Sequence, residues 1–130
     1  MIIQIDQSLD EPIYLQLRAQ IIAGIARGEL EPGTQLPSVR ALAGDLGINL
    51  HTVNKAYAVL RDEGYVVMRG RHGAFISNHP AQAHGQASER LSAALKQLAL
   101  EHRASGGDRN SFEALAAAAL DEAYPERRQS

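Results

Sequence analysis

The stretch LPSVRALAGDLGINLHTVNKAYAVLRDEGYVV, Leu36 to Val67, decides the fold. Val39, Leu42, Ala43 and Leu46 recur at helical spacing, and Gly47 stops the pattern at the position where a left-handed backbone suits glycine. Ser38 precedes that short helix as an N-cap candidate, and Asn49 caps the next one. Val53, Ala56, Tyr57 and Leu60 then line one helical face until Gly64. Two short helices joined by a three- or four-residue turn containing glycine form a helix-turn-helix, whose second helix fits a major groove ~12 Å wide.

The second helix is divided front from back. At ~100° per residue Val53, Ala56, Tyr57 and Leu60 fall within about a third of the circumference, with His51, Lys55 and Ala58 opposite and Asn54 and Arg61 flanking. Asparagine pairs with adenine through two hydrogen bonds, and lysine reaches guanine or phosphate. Thr52 and the unpaired N–H groups of a first helical turn suit phosphate. A polar outward face is also what any solvated amphipathic helix carries. The next segment weighs against that plainer reading. YVVMR and AFIS are short β-type runs flanking Gly70–Gly73, a hairpin whose tip carries Arg69, Gly70, Arg71 and His72. Glycines let the backbone approach closely, and basic tips of this kind enter a minor groove or straddle phosphates.

Upstream, IIQID at 2–6 reads as a short strand or extended arm, and Pro12 suits a helix start. Tyr14, Leu17, Ile21 and Ile25 form one face of that first helix, which Gly28 and the EPG at 31–33 end. Downstream, 79–88 (HPAQAHGQAS) has the small, polar composition of a linker. Leu91, Leu95 and Leu98 make the next helical face, and SGGD at 105–108 breaks it. Asn110 with Glu113 resembles a capping box for a last helix whose face is Phe112, Leu115, Ala116, Ala119 and Leu120. Residues 125–130 read as a frayed tail. The expected organisation is a mainly α, α+β chain: a winged helix-turn-helix domain over 1–78, a linker over 79–88, a two-helix segment over 89–124, and the tail.

Bulk properties narrow the classes. The 130 residues are 45% hydrophobic and 22% charged, as in a folded protein. No apolar run is long enough for a membrane span, and the N-terminus carries acids where a secretory signal is basic, so a cytoplasmic location is expected. With no cysteine there are no disulfides and no thiolate metal sites. The net charge is −2, yet Arg40 to Gly73 holds five basic residues against three acidic ones. His72, His79, His84 and His102 lack ligand spacing, Asp62-Glu63 ends a helix, and Ser38 has no nucleophile elbow around it. No metal, cofactor or enzymatic chemistry is expected.

Residues 11–77 resemble the winged helix-turn-helix domain of the GntR family of bacterial transcription regulators. GELEPGTQLPSVRALA, GINLHTVNKAY and GRHGAFI follow the family's three motifs in order, the third with one extra residue between its glycines. The resemblance implies a repressor that binds double-stranded operator DNA. It places Arg40 at the start of the second helix against phosphate or a guanine edge. It also places Asn49, His51, Thr52 and Asn54 at the recognition-helix front and Gly70 with Arg71 in the wing; Ser38, Lys55, Arg69 and His72 complete the expected DNA-binding set. The short C-terminal part resembles the YtrA-type subfamily, whose helical tail makes a homodimer. Physically, two amphipathic helices cannot bury Leu91, Leu95, Leu98, Phe112, Leu115, Ala116, Ala119 and Leu120 in isolation. Two rivals stand beside this reading: a winged-helix module that binds protein, and a regulator whose last helices also bind a small molecule, although about 35 helical residues leave little room for a pocket of several hundred Å³.

Overall fold

The computed structural model describes residues 3–78 and 81–128. The elements are α1 (Ile13–Ala26), α2 (Val39–Leu46), α3 (Leu50–Asp62), β1 (Val66–Met68), β2 (Ala74–Ile76), α4 (Ala81–Ala104) and α5 (Arg109–Ala123). They fall into two compact units, Met1–His84 and Gly85–Ser130. The mainly helical α+β architecture with a two-stranded wing is the one the sequence implies.

In the first unit α1 and α3 form the centre. Leu17 and Ile21 of α1 are fully buried in one cluster with Val53, Ala56, Tyr57 and Leu60 of α3. Leu42 and Ala43 of α2, Val66 of β1, and Ala74 and Ile76 of β2 complete it, with Leu30 and Leu36 from the α1–α2 connection. Short-range chemistry sets the helix ends. Ser38 Oγ accepts from the Ala41 N–H at 3.0 Å, and Gly47 closes α2 at φ +67°, where a side chain is strained. Asn49 Oδ1 then accepts from the His51 N–H at 2.7 Å and opens α3 two residues later. That is the break and restart legible between Gly47 and Asn49.

The wing pairs Val66 with Ile76, Val67 with Phe75 and Met68 with Ala74, antiparallel. Its tip is a 3₁₀ turn, Gly70–His72, followed by Gly73 at φ +95°. A third segment, unread in the sequence, lies on the other edge of β2. Gln35 pairs with Phe75, Ile76 N–H donates to the Thr34 carbonyl at 2.8 Å, and Leu36 N–H donates to the Ala74 carbonyl at 2.8 Å. Pro32 and Gly33 mark this segment as a turn by composition, and strand pairing with a partner some forty residues on leaves no local trace. The N-terminal arm, 3–6, is held by side chains rather than by a sheet. Gln16 Oε1 accepts from the Asp6 N–H at 2.9 Å, and Gln20 Oε1 from the Gln4 N–H at 2.8 Å.

In the second unit and the first turn of α4 that leads into it, three expectations need correction. Residues 81–88, read as linker, form the first turns of α4, while 79 and 80 lie outside the described residues. Between 81 and 88 there is no proline, alanine and glutamine are good helix formers, and one glycine costs about 1 kcal/mol, so a long helix propagates through. The capping box of α5 uses Asp108 and Ser111, not Asn110 and Glu113. Asp108 takes the extended backbone of an N-cap, which leaves Asn110 inside the first turn, and Glu113 pairs with Arg109 at 2.8 Å. Of the expected tail, Pro125–Arg128 form a 3₁₀ turn. The α4–α5 corner is tight. A side chain on Gly107 would meet the His102 ring at 2.2 Å, and that ring tilts against Phe112 with centroids 5.6 Å apart. An open cleft of about 690 Å³ lies beside this corner, lined by His102, Arg103, Asp108, Arg109 and Phe112 among others, more room than the segment's length suggests. No described residue of this unit is buried. Leu91, Leu95, Leu98, Leu115 and Leu120 all stand exposed, Ala119 likewise, while Phe112 and Ala116 are half-buried.

Candidate nucleic-acid interface

The core contacts of α3 leave His51 and Asn54 exposed on its first two turns, with Thr52 half-buried at the edge. Arg40 is exposed in the first turn of α2 and has no ion-pair partner among the described residues. At the wing tip Gly70, Arg71 and His72 are exposed. These are the side chains that the fold does not consume.

Other residues of the expected set are engaged. The side-chain oxygens of Ser38 and Asn49 serve as caps. The cap also withdraws the first-turn donors read as phosphate ligands: His51 N–H is bound to the Asn49 side chain, and Thr52 N–H donates to the Asn49 carbonyl at 3.0 Å. The Lys55 ammonium lies over the Tyr14 ring, 4.2 Å from its centroid, so it braces α3 against α1. The Arg69 guanidinium lies 5.2 Å from the Phe75 centroid along the wing. Arg61 pairs with its neighbour Asp62 at 3.1 Å, and Arg18 of α1 grips Glu63 at the end of α3 at 2.7 Å.

One structural contact escaped sequence reading. The buried Tyr57 hydroxyl donates to the Pro37 carbonyl at 2.8 Å, tying the middle of α3 to the turn that opens α2. Burial pushes the phenol up to about 12. A pKa raised in the folded state favours the protonated phenol there. Its stabilising contribution is therefore complete below about pH 10 and is lost as pH rises toward 12. Tyr57→Phe is expected to cost about 1 kcal/mol at neutral pH, because the Pro37 carbonyl loses its donor, and to remove this alkaline component. Urea titrations of both proteins at neutral pH and above pH 10 check both effects.

Among the described residues no group of three His, Asp or Glu side chains is placed to hold a metal ion, and no helix is long and apolar enough to cross a membrane.

Two short helices meeting at a glycine turn, a third helix packed behind them and a hairpin beside the second define a winged helix-turn-helix domain, a DNA-binding class. A family model described as "Bacterial regulatory proteins, gntR family" matches residues 13–76. YtrA from Sulfolobus acidocaldarius, a solved GntR-family transcription factor, is 42% identical; the match covers 71% of this chain and 99% of that one, with a TM-score of 0.57. The chain belongs to the GntR family, a family of DNA-binding transcription regulators and not of enzymes. It is also similar to the HTH-type transcriptional regulator Rv1152 of Mycobacterium tuberculosis, 47% identical over 75 residues, 58% of this chain and 62% of the relative. The HTH-type transcriptional repressor YtrA of Bacillus subtilis is 44% identical over 78 residues, 59% of each chain. The chain thus spans less than two thirds of the length of these two relatives.

Proposed function

We propose that this regulator is a cytoplasmic homodimer that represses transcription by reading a pseudo-palindromic operator, with α3 in the major groove and the wing tip on the flanking minor groove or phosphates. The observation that carries the reading is the state of α3: Val53, Ala56, Tyr57 and Leu60 are buried in the core, and His51 and Asn54 project from its front with no role in the fold. Asn54 is the base reader, and Arg40 and Arg71 are the flanking contacts. Lys55 reaches DNA only by leaving Tyr14, and Ser38, Asn49 and Arg69 contribute by shaping the surface. The repressing sign is supported by the name of the Bacillus subtilis relative.

Residues 89–124 are the dimerisation segment. Leu91, Leu95, Leu98, Leu115 and Leu120 are between 43% and 63% exposed, an apolar display that a second copy covers under two-fold symmetry. Leu95→Glu tests this without disturbing the monomer, since the side chain is 43% exposed there. Sedimentation is expected to show a dimer for the wild type and dimerisation weakened by at least about tenfold for the variant, the scale of one buried charge at an interface. An unchanged dimer removes this face from the interface.

A further inference from the structure

We propose that Gln35 is a positioning residue for DNA binding: it fixes the wing tip that presents Arg71 and holds it at a set distance from α3. The inference rests on the DNA-reading function above.

The hydrogen bonds of one six-residue segment carry it. Gln35 Nε2 donates to the His72 carbonyl at 2.7 Å, directly at the wing tip. The next residue, Leu36, is buried, and its N–H donates to the Ala74 carbonyl of β2. Pro37 offers its carbonyl to the Tyr57 hydroxyl of α3. Ser38 caps α2, and Arg40 stands in that helix's first turn. Residues 35–40 therefore join the wing tip, the middle of α3 and the exposed Arg40 through consecutive contacts.

The tip needs such a support. Its 3₁₀ turn is closed by short-range bonds, His72 N–H to the Arg69 carbonyl at 3.0 Å and Gly73 N–H to the Gly70 carbonyl at 3.2 Å. Gly70 at φ +57° opens it and Gly73 at φ +95° follows it, and both allow wide backbone freedom. Gln35 reaches this turn from a different strand. Its amide nitrogen also lies 3.5 Å from where a side chain on Gly73 would begin, so it packs over the glycine as well as bonding beside it. Arg69, though exposed, is laid on Phe75, so Arg71 and His72 are the exposed side chains of the turn with no such ring contact. A turn fixed before binding spares the ordering cost that a mobile one meets on the DNA.

The test is a double-substitution cycle with Gln35→Ala and Arg71→Ala, using a labelled duplex that carries the consensus recovered by selection from a random pool. Gln35→Ala is expected to weaken binding by about threefold to tenfold, the size of one net hydrogen bond, and by less than about twofold once Arg71 is already alanine. A parallel readout needs no DNA: tryptic cleavage after Arg69 and Arg71 is expected to quicken several-fold in Gln35→Ala with the thermal midpoint unchanged. Additive losses would mean that Gln35 touches DNA itself, and they overturn the proposal, as does unchanged binding or unchanged cleavage. If Arg71→Ala binds like the wild type, the wing reading itself fails and the positioning role falls with it. The two failures are thus told apart.

Discussion

Leu17→Ala is expected to cost the first unit about 3 kcal/mol of folding stability, within the 2–5 kcal/mol typical of truncating a buried leucine. Leu17 is fully buried, on the face of α1 that packs against α3. Removing its branch opens a cavity between the two helices, bounded by fully buried neighbours such as Ile21, Val53 and Leu60. Those neighbours sit on regular helices and relax only partly. A domain of this size has about 5–15 kcal/mol in all, so the loss is a large share of its reserve. Alanine at Leu95, exposed in the chain by itself, is expected to change the stability of the monomer by no more than about 0.5 kcal/mol. Urea denaturation monitored by circular dichroism measures both. A loss below about 1 kcal/mol at Leu17 would mean that α1 does not hold α3 as described.

Arg40→Ala is expected to act on DNA alone. Arg40 is exposed, lacks an ion-pair partner among the described residues, and alanine is at least as good a helix former, so the thermal midpoint should stay put. Binding to the selected duplex is expected to weaken by about 1–3 kcal/mol, or roughly fivefold to 150-fold. The pattern of loss identifies the contact. A phosphate contact lowers affinity for all sequences alike and reduces the slope of log affinity against log salt by about 0.9. A guanine contact relaxes the preference at one base pair. Unchanged affinity at moderate salt would remove Arg40 from the interface.

The parts of this fold legible in the sequence are those written locally. Ser38, Gly47 and Asn49 mark helix ends through bonds that span two or three residues, and the apolar spacing of α3 states which side faces the core. What escaped notice depends on partners far along the chain. The pairing of 33–36 with β2, the Tyr57–Pro37 bond, the Lys55–Tyr14 contact and the Gln35–His72 bond each join residues twenty or more positions apart. Local and long-range contacts both bear on the candidate site. In the proposed interface a side-chain oxygen spent on a cap is not offered to a base, so Ser38 and Asn49 serve there as supports. The helical run at 81–88 was hidden for another reason: a stretch with no buried face has no apolar period to read, and its alanines and glutamines carry helix propensity without a pattern.

Selection of bound duplexes from a random pool reads out whether a dimer recognises DNA through α3, since symmetry, spacing and sequence emerge together. A two-fold symmetric motif is expected, with half-sites one helical turn, about 10 base pairs, or a multiple of it apart. Asn54→Ala is expected to shift the preferred base at one position in each half-site. Enrichment of no motif, or of a single asymmetric site that Asn54→Ala leaves unaltered, would contradict a dimer that reads DNA through α3.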